Sequence, residues 1–317
     1  MRKCLSLLSM LLISFYSCDD VLEENISDDL VVVITPVSGA TIEGNYVQFR
    51  WNTVEGAKDY RVQVTGEHNF IVLDSLINTP IFDYQIDPGE YKWRVRGENF
   101  AYATPYTFEA NFAIVASLDL SNQKVTLELP LDNKYTYETE LSFSWQGIGT
   151  ADSYRFQILK TGKLENTIVF EKDNLEEASI RISDGFLTDD AEYIWQVQAK
   201  NETSTSKYFK RVIFIDKQDP PSPKLVAPTN NKVFAKKEDI IFTWEFTDVG
   251  EVKSPITGTL EIASNEDFST IVLSKEVTEE KHTSSFETSG TYYWRVKGDD
   301  EAGNAGSKSD SGIFKIN

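Results

Sequence analysis

The chain has 317 residues, 40% of them hydrophobic and 12% aromatic, which is too apolar for a disordered protein and long enough for two or three domains. It carries 31 basic against 50 acidic residues, a formal charge of −19, and so acidic a surface excludes nucleic acid and anionic lipid as partners. The two cysteines are Cys4 and Cys18, too few for a disulfide framework, so the cores must hold by packing alone.

Arg2 and Lys3 precede an apolar run from Leu5 to Tyr16, closed by Ser17 and Cys18. That is the order of an export signal, and residues 1–17 read as a signal peptide. The run is too short to span a bilayer as a helix. Its removal takes Cys4 and leaves 29 basic against 50 acidic residues, with Cys18 as the single cysteine of the mature chain. Between Asp19 and Asp29 lie six carboxylates and no Lys or Arg, so residues 18–30 read as a solvated acidic tether.

The Ser17-Cys18 junction followed by Asp19 and Asp20 resembles a bacterial lipoprotein signal, which implies lipid attachment at Cys18. Phe15 and Tyr16 stand where that family has leucine and a small residue, and plain cleavage is the alternative. The acidic run after the cysteine resembles the surface-export signal of Bacteroides-type lipoproteins. The resemblance implies a lipid-anchored outer-membrane protein facing the cell exterior, with a periplasm-facing lipoprotein as the alternative.

A strand pattern then occurs three times, as Tyr91-x-Trp93-x-Val95-x-Gly97, Tyr193-x-Trp195-x-Val197-x-Ala199 and Tyr292-x-Trp294-x-Val296-x-Gly298. Its period of two is that of a strand with one face buried. A second alternation precedes it in each copy, Val47-x-Phe49-x-Trp51, Leu141-x-Phe143-x-Trp145 and Ile240-x-Phe242-x-Trp244, with Pro36, Pro130 and Pro228 fifteen or sixteen residues before the tryptophan. Tyr60-x-Val62-x-Val64, Tyr154-x-Phe156-x-Ile158 and Gly258-x-Leu260-x-Ile262 follow, the last displaced by a five-residue insertion within Asp248 to Thr257. Short strands at Ile71–Leu73, Ile168–Phe170 and Ile271–Leu273 come next, and Phe112-x-Ile114, Phe214-x-Asp216 and Phe314-x-Ile316 close the copies.

About seven strands per copy and no helical stripe predict an all-β fold of three tandem antiparallel sandwiches. The tryptophan placement, the Tyr-x-Trp-x-Val strand and the closing Phe-x-Ile resemble the fibronectin type III family. That resemblance implies Ig-like modules over residues 31–117, 118–218 and 219–317. The leading tyrosine of each repeated strand is expected to be a corner tyrosine bonded back to the chain. Between the second and third modules, Pro220, Pro221 and Pro223 predict a stiffer joint than Ser117 to Lys124 between the first and second.

Catalytic signatures are missing from the sequence. The two histidines, His68 and His282, fall in different copies, and no phosphate loop, H-E-x-x-H or G-x-S-x-G occurs. Asp299-Asp300-Glu301 has no calcium-loop spacing and reads as an exposed turn, so neither metal nor cofactor is expected. With every tryptophan assigned to a core, the aromatic candidates for a ligand are Phe100, Tyr102 and Tyr106 in one end loop and Tyr135 with Tyr137 in the second copy. Asn25-Ile26-Ser27 and Asn201-Glu202-Thr203 match glycosylation sequons, and Asp74-Ser75-Leu76 resembles an O-glycosylation motif of Bacteroides-type exported proteins. The expected role is a non-catalytic scaffold, spacer or adhesion protein at the cell surface, with protein or polysaccharide as partner and the membrane reached through the lipid. The alternative is a glycan-binding lipoprotein of a polysaccharide-uptake system.

Overall fold

The computed structural model describes residues 23–247 and 249–317. Cys18, the signal peptide and the start of the tether lie outside the described residues. The first module contains β1 (Val33–Thr35), β2 (Ala40–Glu43), β3 (Tyr46–Trp51), β4 (Asp59–Thr65), β5 (Ile71–Ile77), β6 (Ile81–Gln85), β7 (Gly89–Glu98) and β8 (Ala110–Val115). They form a three-stranded sheet, order β1-β3-β6, and a five-stranded sheet, order β2-β8-β7-β4-β5.

The second module repeats the plan with β9 (Leu127–Leu129), β10 (Lys134–Thr136), β11 (Leu141–Trp145), β12 (Ser153–Lys160), β13 (Thr167–Leu175), β14 (Ser179–Ile182), β15 (Ala191–Lys200) and β16 (Phe209–Ile215). Its sheets run β14-β11-β9 and β10-β16-β15-β12-β13. The third has β17 (Lys224–Ala227), β18 (Lys232–Phe234), β19 (Ile240–Glu245), β20 (Ile256–Ala263), β21 (Ile271–Val277), β22 (Lys281–Ser284), β23 (Gly290–Asp300), β24 (Ala305–Lys308) and β25 (Gly312–Ile316), in sheets β17-β19-β22 and β18-β25-β23-β20-β21, with β24 added on β23. The first module belongs to a compact unit ending at Ala116, and the second and third share the unit Ser117–Asn317.

Strand count per module therefore exceeds the expected seven, because the stretch around each proline is split. The chain leaves the three-stranded sheet at Pro36, Pro130 or Pro228, each preceded by a cis peptide bond, and joins the other sheet a few residues on. Proline has no N–H to give a ladder, so the first strand ends there. The second piece pairs in parallel with the last strand, as Ala40 opposite Phe112, Lys134 opposite Ile213 and Lys232 opposite Phe314.

The inward positions fill as the alternation requires. All six tryptophans are at most 2% exposed. Phe49 packs against Trp93 at 4.7 Å, Phe143 against Trp195 at 5.3 Å and Phe242 against Trp294 at 5.2 Å, in tilted or edge-on contacts that suit aromatic quadrupoles. The corner tyrosines form as expected, with the Tyr91, Tyr193 and Tyr292 hydroxyls donating to the Asp87, Asp189 and Thr288 carbonyls at 2.9, 3.5 and 2.9 Å.

Two expectations are corrected. In the second module the closing strand is shifted by one residue: Ile213, not Phe214, lies opposite Tyr193, as Phe112 lies opposite Tyr91. Ile213 and Ile215 fill the core and Phe214 turns to the other face, because Val212 to Ile215 is an unbroken apolar run whose register only the pairing decides. The acidic stretch is also not all tether. Ile26 is fully buried, the Asp29 N–H donates to the Ile26 carbonyl at 3.1 Å and Glu23 pairs with Lys58, so the chain is docked on the first module from Glu23 onward.

Replacing Trp93, Trp195 or Trp294 by alanine should cost its own module about 3–5 kcal/mol. Hydrogen exchange resolved by module measures this, and loss of protection in all three cores at once would contradict three separate cores.

Candidate functional site: loop tips and an inter-module joint

The loop after each repeated tryptophan strand is built around one asparagine. In the first module, Asn99 Nδ2 donates to the Glu24 carbonyl at 2.8 Å and to the Gly56 carbonyl at 3.1 Å. In the second, Asn201 Nδ2 donates to the Leu118 carbonyl at 2.8 Å and to the Thr150 carbonyl at 3.1 Å. In the third, Asn304 Nδ2 reaches the Asp216 carbonyl at 3.0 Å and Asp300 Oδ2 at 2.8 Å. Glu24, Leu118 and Asp216 each lie twelve residues before the proline of their module. The same backbone carbonyl of the incoming chain is thus clamped three times, by an amide that spends both of its N–H groups. Next to the clamp, Ile26 and Leu120 are buried as equivalent apolar plugs.

The geometry gives the asparagine of the second sequon a structural role and leaves Asn25 exposed. Asn201 is the clamp, with its amide nitrogen engaged, and Asn25 Oδ1 accepts the Ser27 N–H at 3.1 Å beside buried Ile26. Buried hydroxyls stiffen the descending arm of the loop. Thr104 accepts the Gly97 N–H at 3.0 Å and Ser206 accepts the Ala199 N–H at 2.9 Å.

The five candidate aromatics do not form one site. Phe100 and Tyr102 stand at the tip of the first loop, 94% and 38% exposed. Tyr106 lies lower on the same loop with its ring face covered by the guanidiniums of Arg94 and Arg96, at 4.3 and 4.6 Å. Tyr135 stacks on the outward-turned Phe214 at 4.7 Å. Tyr137 belongs to the contact between the second and third modules, where its N–H donates to the Ala302 carbonyl at 3.2 Å and its ring lies against Gly303.

That contact is a built joint. Asp216 is 2% exposed, and its carboxylate accepts the Ser254 hydroxyl at 2.6 Å, the Ser254 N–H at 3.3 Å and the Gln218 N–H at 3.0 Å. Asp190 accepts the Val252 and Glu251 N–H groups at 3.0 and 3.2 Å. Glu251, Val252 and Ser254 lie on the insertion of the third module, so the extra loop exists to meet the end of the second. A buried carboxylate is tolerated there because its oxygens are supplied with donors. Pro220 packs beside Gly306, and the Ser222 hydroxyl donates to the Lys308 carbonyl at 3.1 Å, which fixes the linker along the third module.

Sequence reasoning missed this joint and also a cleft. Gly39–Thr41, Glu67–Asn69, Glu90–Lys92 and Asn111–Ala113 line an open cleft of about 530 Å³ in the first module. Tyr193 and Tyr292 are buried, but Tyr91 is half-buried and turns part of its ring to this cleft, beside His68 and Asn69 at positive φ. The available signal was the glycine and histidine of the Gly66-Glu67-His68-Asn69 turn, since the matching connection of the third copy, Asn265-Glu266-Asp267-Phe268, has neither.

Charge on the outer sheet faces is locally paired. Hydrogen bonds from Arg155 Nη2 at 2.6 Å, then from Lys200 Nζ at 3.0 Å, hold the Asp173 carboxyl well below the usual carboxylate range. The Asp299-Asp300-Glu301 stretch is not an exposed turn throughout, because Asp299 and Asp300 end β23 half-buried, where Asp299 pairs with Lys297 at 2.6 Å and Asp300 accepts from Asn304, and only Glu301 lies in the exposed turn. Among the described residues, no group of three or more His, Cys, Asp or Glu is placed to hold a metal ion.

Fold and site together define a tandem array of β-sandwich modules whose incoming chain is clamped at each module. No family model matches the sequence, and neither does any curated protein. Among solved structures, the chain is similar to the chicken CNTN1 FN1-FN3 domains, at 14% identity and TM-score 0.43 over 90% of this chain and 97% of that one. It is also similar to the fibronectin(III)-like modules of Clostridium thermocellum CbhA, at 13% identity and TM-score 0.23 over 59% and 94% of the two chains. The chicken interferon gamma receptor alpha chain is a third, at 14% identity and TM-score 0.26 over 61% and 96%. The sandwich assignment itself rests on the strand pairing.

Asp216→Ala should leave buried donors of the joint unpaired, at about 1–3 kcal/mol each, and free the second and third modules to flex. Small-angle scattering of Ser117–Asn317 should then show a broader distance distribution than the parent, and an unchanged one would refute the joint. Asp173→Asn tests the electrostatics. A depressed folded pKa stabilises above the unfolded value of about 3.9 and is lost as pH falls through the folded value. The stability gap between parent and variant in denaturant unfolding should therefore be largest near neutrality and close in strong acid.

Proposed function

We propose that the chain is a non-catalytic, lipid-anchored lipoprotein of the outer membrane, displayed on the cell exterior, whose three modules act as a spacer and assembly or adhesion scaffold for a protein or polysaccharide. The single observation carrying this reading is the joint, in which an insertion of the third module meets Asp190 and Asp216 of the second. A chain that elaborates a loop to hold two modules in a set geometry is built for presentation at a distance. The two histidines lie in different modules, and Asp299 and Asp300 are engaged by Lys297 and Asn304, which supports a non-catalytic reading.

The anchor follows from Cys18 and its acidic flank, and an array with several acyl chains on one residue exceeds the two-signal threshold for stable attachment. A second reading, glycan binding in a polysaccharide-uptake system, is favoured by the cleft at Tyr91, which offers a part-exposed ring with Lys92, His68 and Asn69 around it.

Palmitate labelling of cells producing the parent or Cys18→Ala tests the anchor: label in the parent and none in the variant is expected, and unchanged label refutes it. Surface display should make the parent protease-sensitive on intact cells. A glycan array separates the two readings. The uptake reading expects specific polysaccharide binding at the Tyr91 cleft that His68→Ala/Lys92→Ala abolishes with the fold intact, and retention unchanged in that variant would leave the scaffold reading in place.

A further inference from the structure

We propose that the tip Asn99–Tyr102 of the first module is a membrane-docking element, with Phe100 and Tyr102 entering the interfacial layer of a zwitterionic bilayer beside the lipid on Cys18. This rests on the anchored reading above. The tip is a rigid turn: the Asn99 N–H donates to the Tyr102 carbonyl at 2.9 Å, and Asn99 Oδ1 accepts the Ala101 and Tyr102 N–H groups at 3.1 and 2.8 Å. The same side chain clamps Glu24 at 2.8 Å, so the tip is fixed against the chain that comes from Cys18. Cys18 and Glu24 are six residues apart, a span of at most about 20 Å. A lipid on Cys18 would lie within that reach of the clamp.

The second module supplies an internal control. Its tip makes the identical turn, the Asn201 N–H donating to the Ser204 carbonyl at 3.1 Å and Asn201 Oδ1 accepting the Thr203 and Ser204 N–H groups at 3.1 and 2.8 Å. There, however, Glu202, Thr203 and Ser204 occupy the places of Phe100, Ala101 and Tyr102. The turn does not require apolar side chains. In the third module the tip is covered by Tyr137 of the second. Only the module that follows the lipid-bearing residue has an aromatic tip left open, and there Phe100 is 94% exposed.

An apolar ring at the apex with a tyrosine behind it is the arrangement suited to a bilayer interface, where the ring is buried and the hydroxyl stays wet. Glu24, Asp28 and Asp29 on the docked segment are exposed carboxylates, which turns the tip away from anionic headgroups and towards zwitterionic ones. Phe108, also exposed, lies lower, after Thr107 has paired with Val95, and takes no part.

The mature chain has one thiol, so it can be coupled at Cys18 to maleimide-phosphatidylethanolamine in phosphatidylcholine vesicles, whether or not cells lipidate that residue. A Phe100→Trp variant anchored in this way should show an added fluorescence that brominated lipid quenches, while Glu202→Trp should show none. Unquenched Trp at position 100 would overturn the proposal. In the uncoupled chain, Phe100→Glu/Tyr102→Ser, which transplants the tip of the second module, should lower partition onto the same vesicles on the order of 10-fold. Equal partition would overturn it. Failure of palmitate labelling with quenching intact would remove the anchor and leave the docking tip. Polysaccharide binding that the transplant abolishes, without quenching by lipid, would assign the tip to glycan instead.

Discussion

The interaction on which this architecture depends is the hydrogen bond from a loop asparagine to the carbonyl of the incoming chain. A sandwich with both sheets filled still has an open end where its first residues arrive, and an exposed backbone carbonyl there leaves the arriving segment free to swing. Asn99 and Asn201 close that end identically. In the third module the position six residues after the tryptophan is Asp300, and the amide comes from Asn304 four residues later, held by Asp300 itself. The bond is kept while the residue that makes it has moved. That substitution comes with the longer loop, and the longer loop is what reaches the second module through Ala302 and Gly303.

The cores were legible in the sequence because tryptophan and phenylalanine alternate with polar residues in six strands, and a half-buried strand must alternate. Where alternation stops, so does legibility. Val212 to Ile215 offers no polar position, and the register was settled only by pairing with β15 and by the stack of Phe214 on Tyr135. Ile26 is one apolar residue among carboxylates, with no period to announce it. Its burial depends on a surface made by residues far along the chain.

The sites were read less well for a related reason. Asn99 and Glu24, or Asp216 and Ser254, are distant in sequence, and nothing local marks either member. The insertion of the third module was visible as a length difference, but its partners Asp190 and Asp216 look like any other acidic residues of an acidic chain. Tyr137 and Tyr106 were plausible ligand residues by type, and packing has assigned both to other work, one to the joint and one beneath two arginines.

The parallel pairing of the strand after each proline with the last strand of its module has a mechanical meaning. The chain enters β2 from β1 through the proline and departs after β8, and since β2 and β8 run the same way, a pull that has detached β1 loads their ladder lengthwise. All its hydrogen bonds then resist together instead of opening one after another from an end. The same geometry recurs in β10 with β16 and in β18 with β25. In each of the three modules, a pull that reaches past the proline would meet that ladder in shear rather than peel it open from one end.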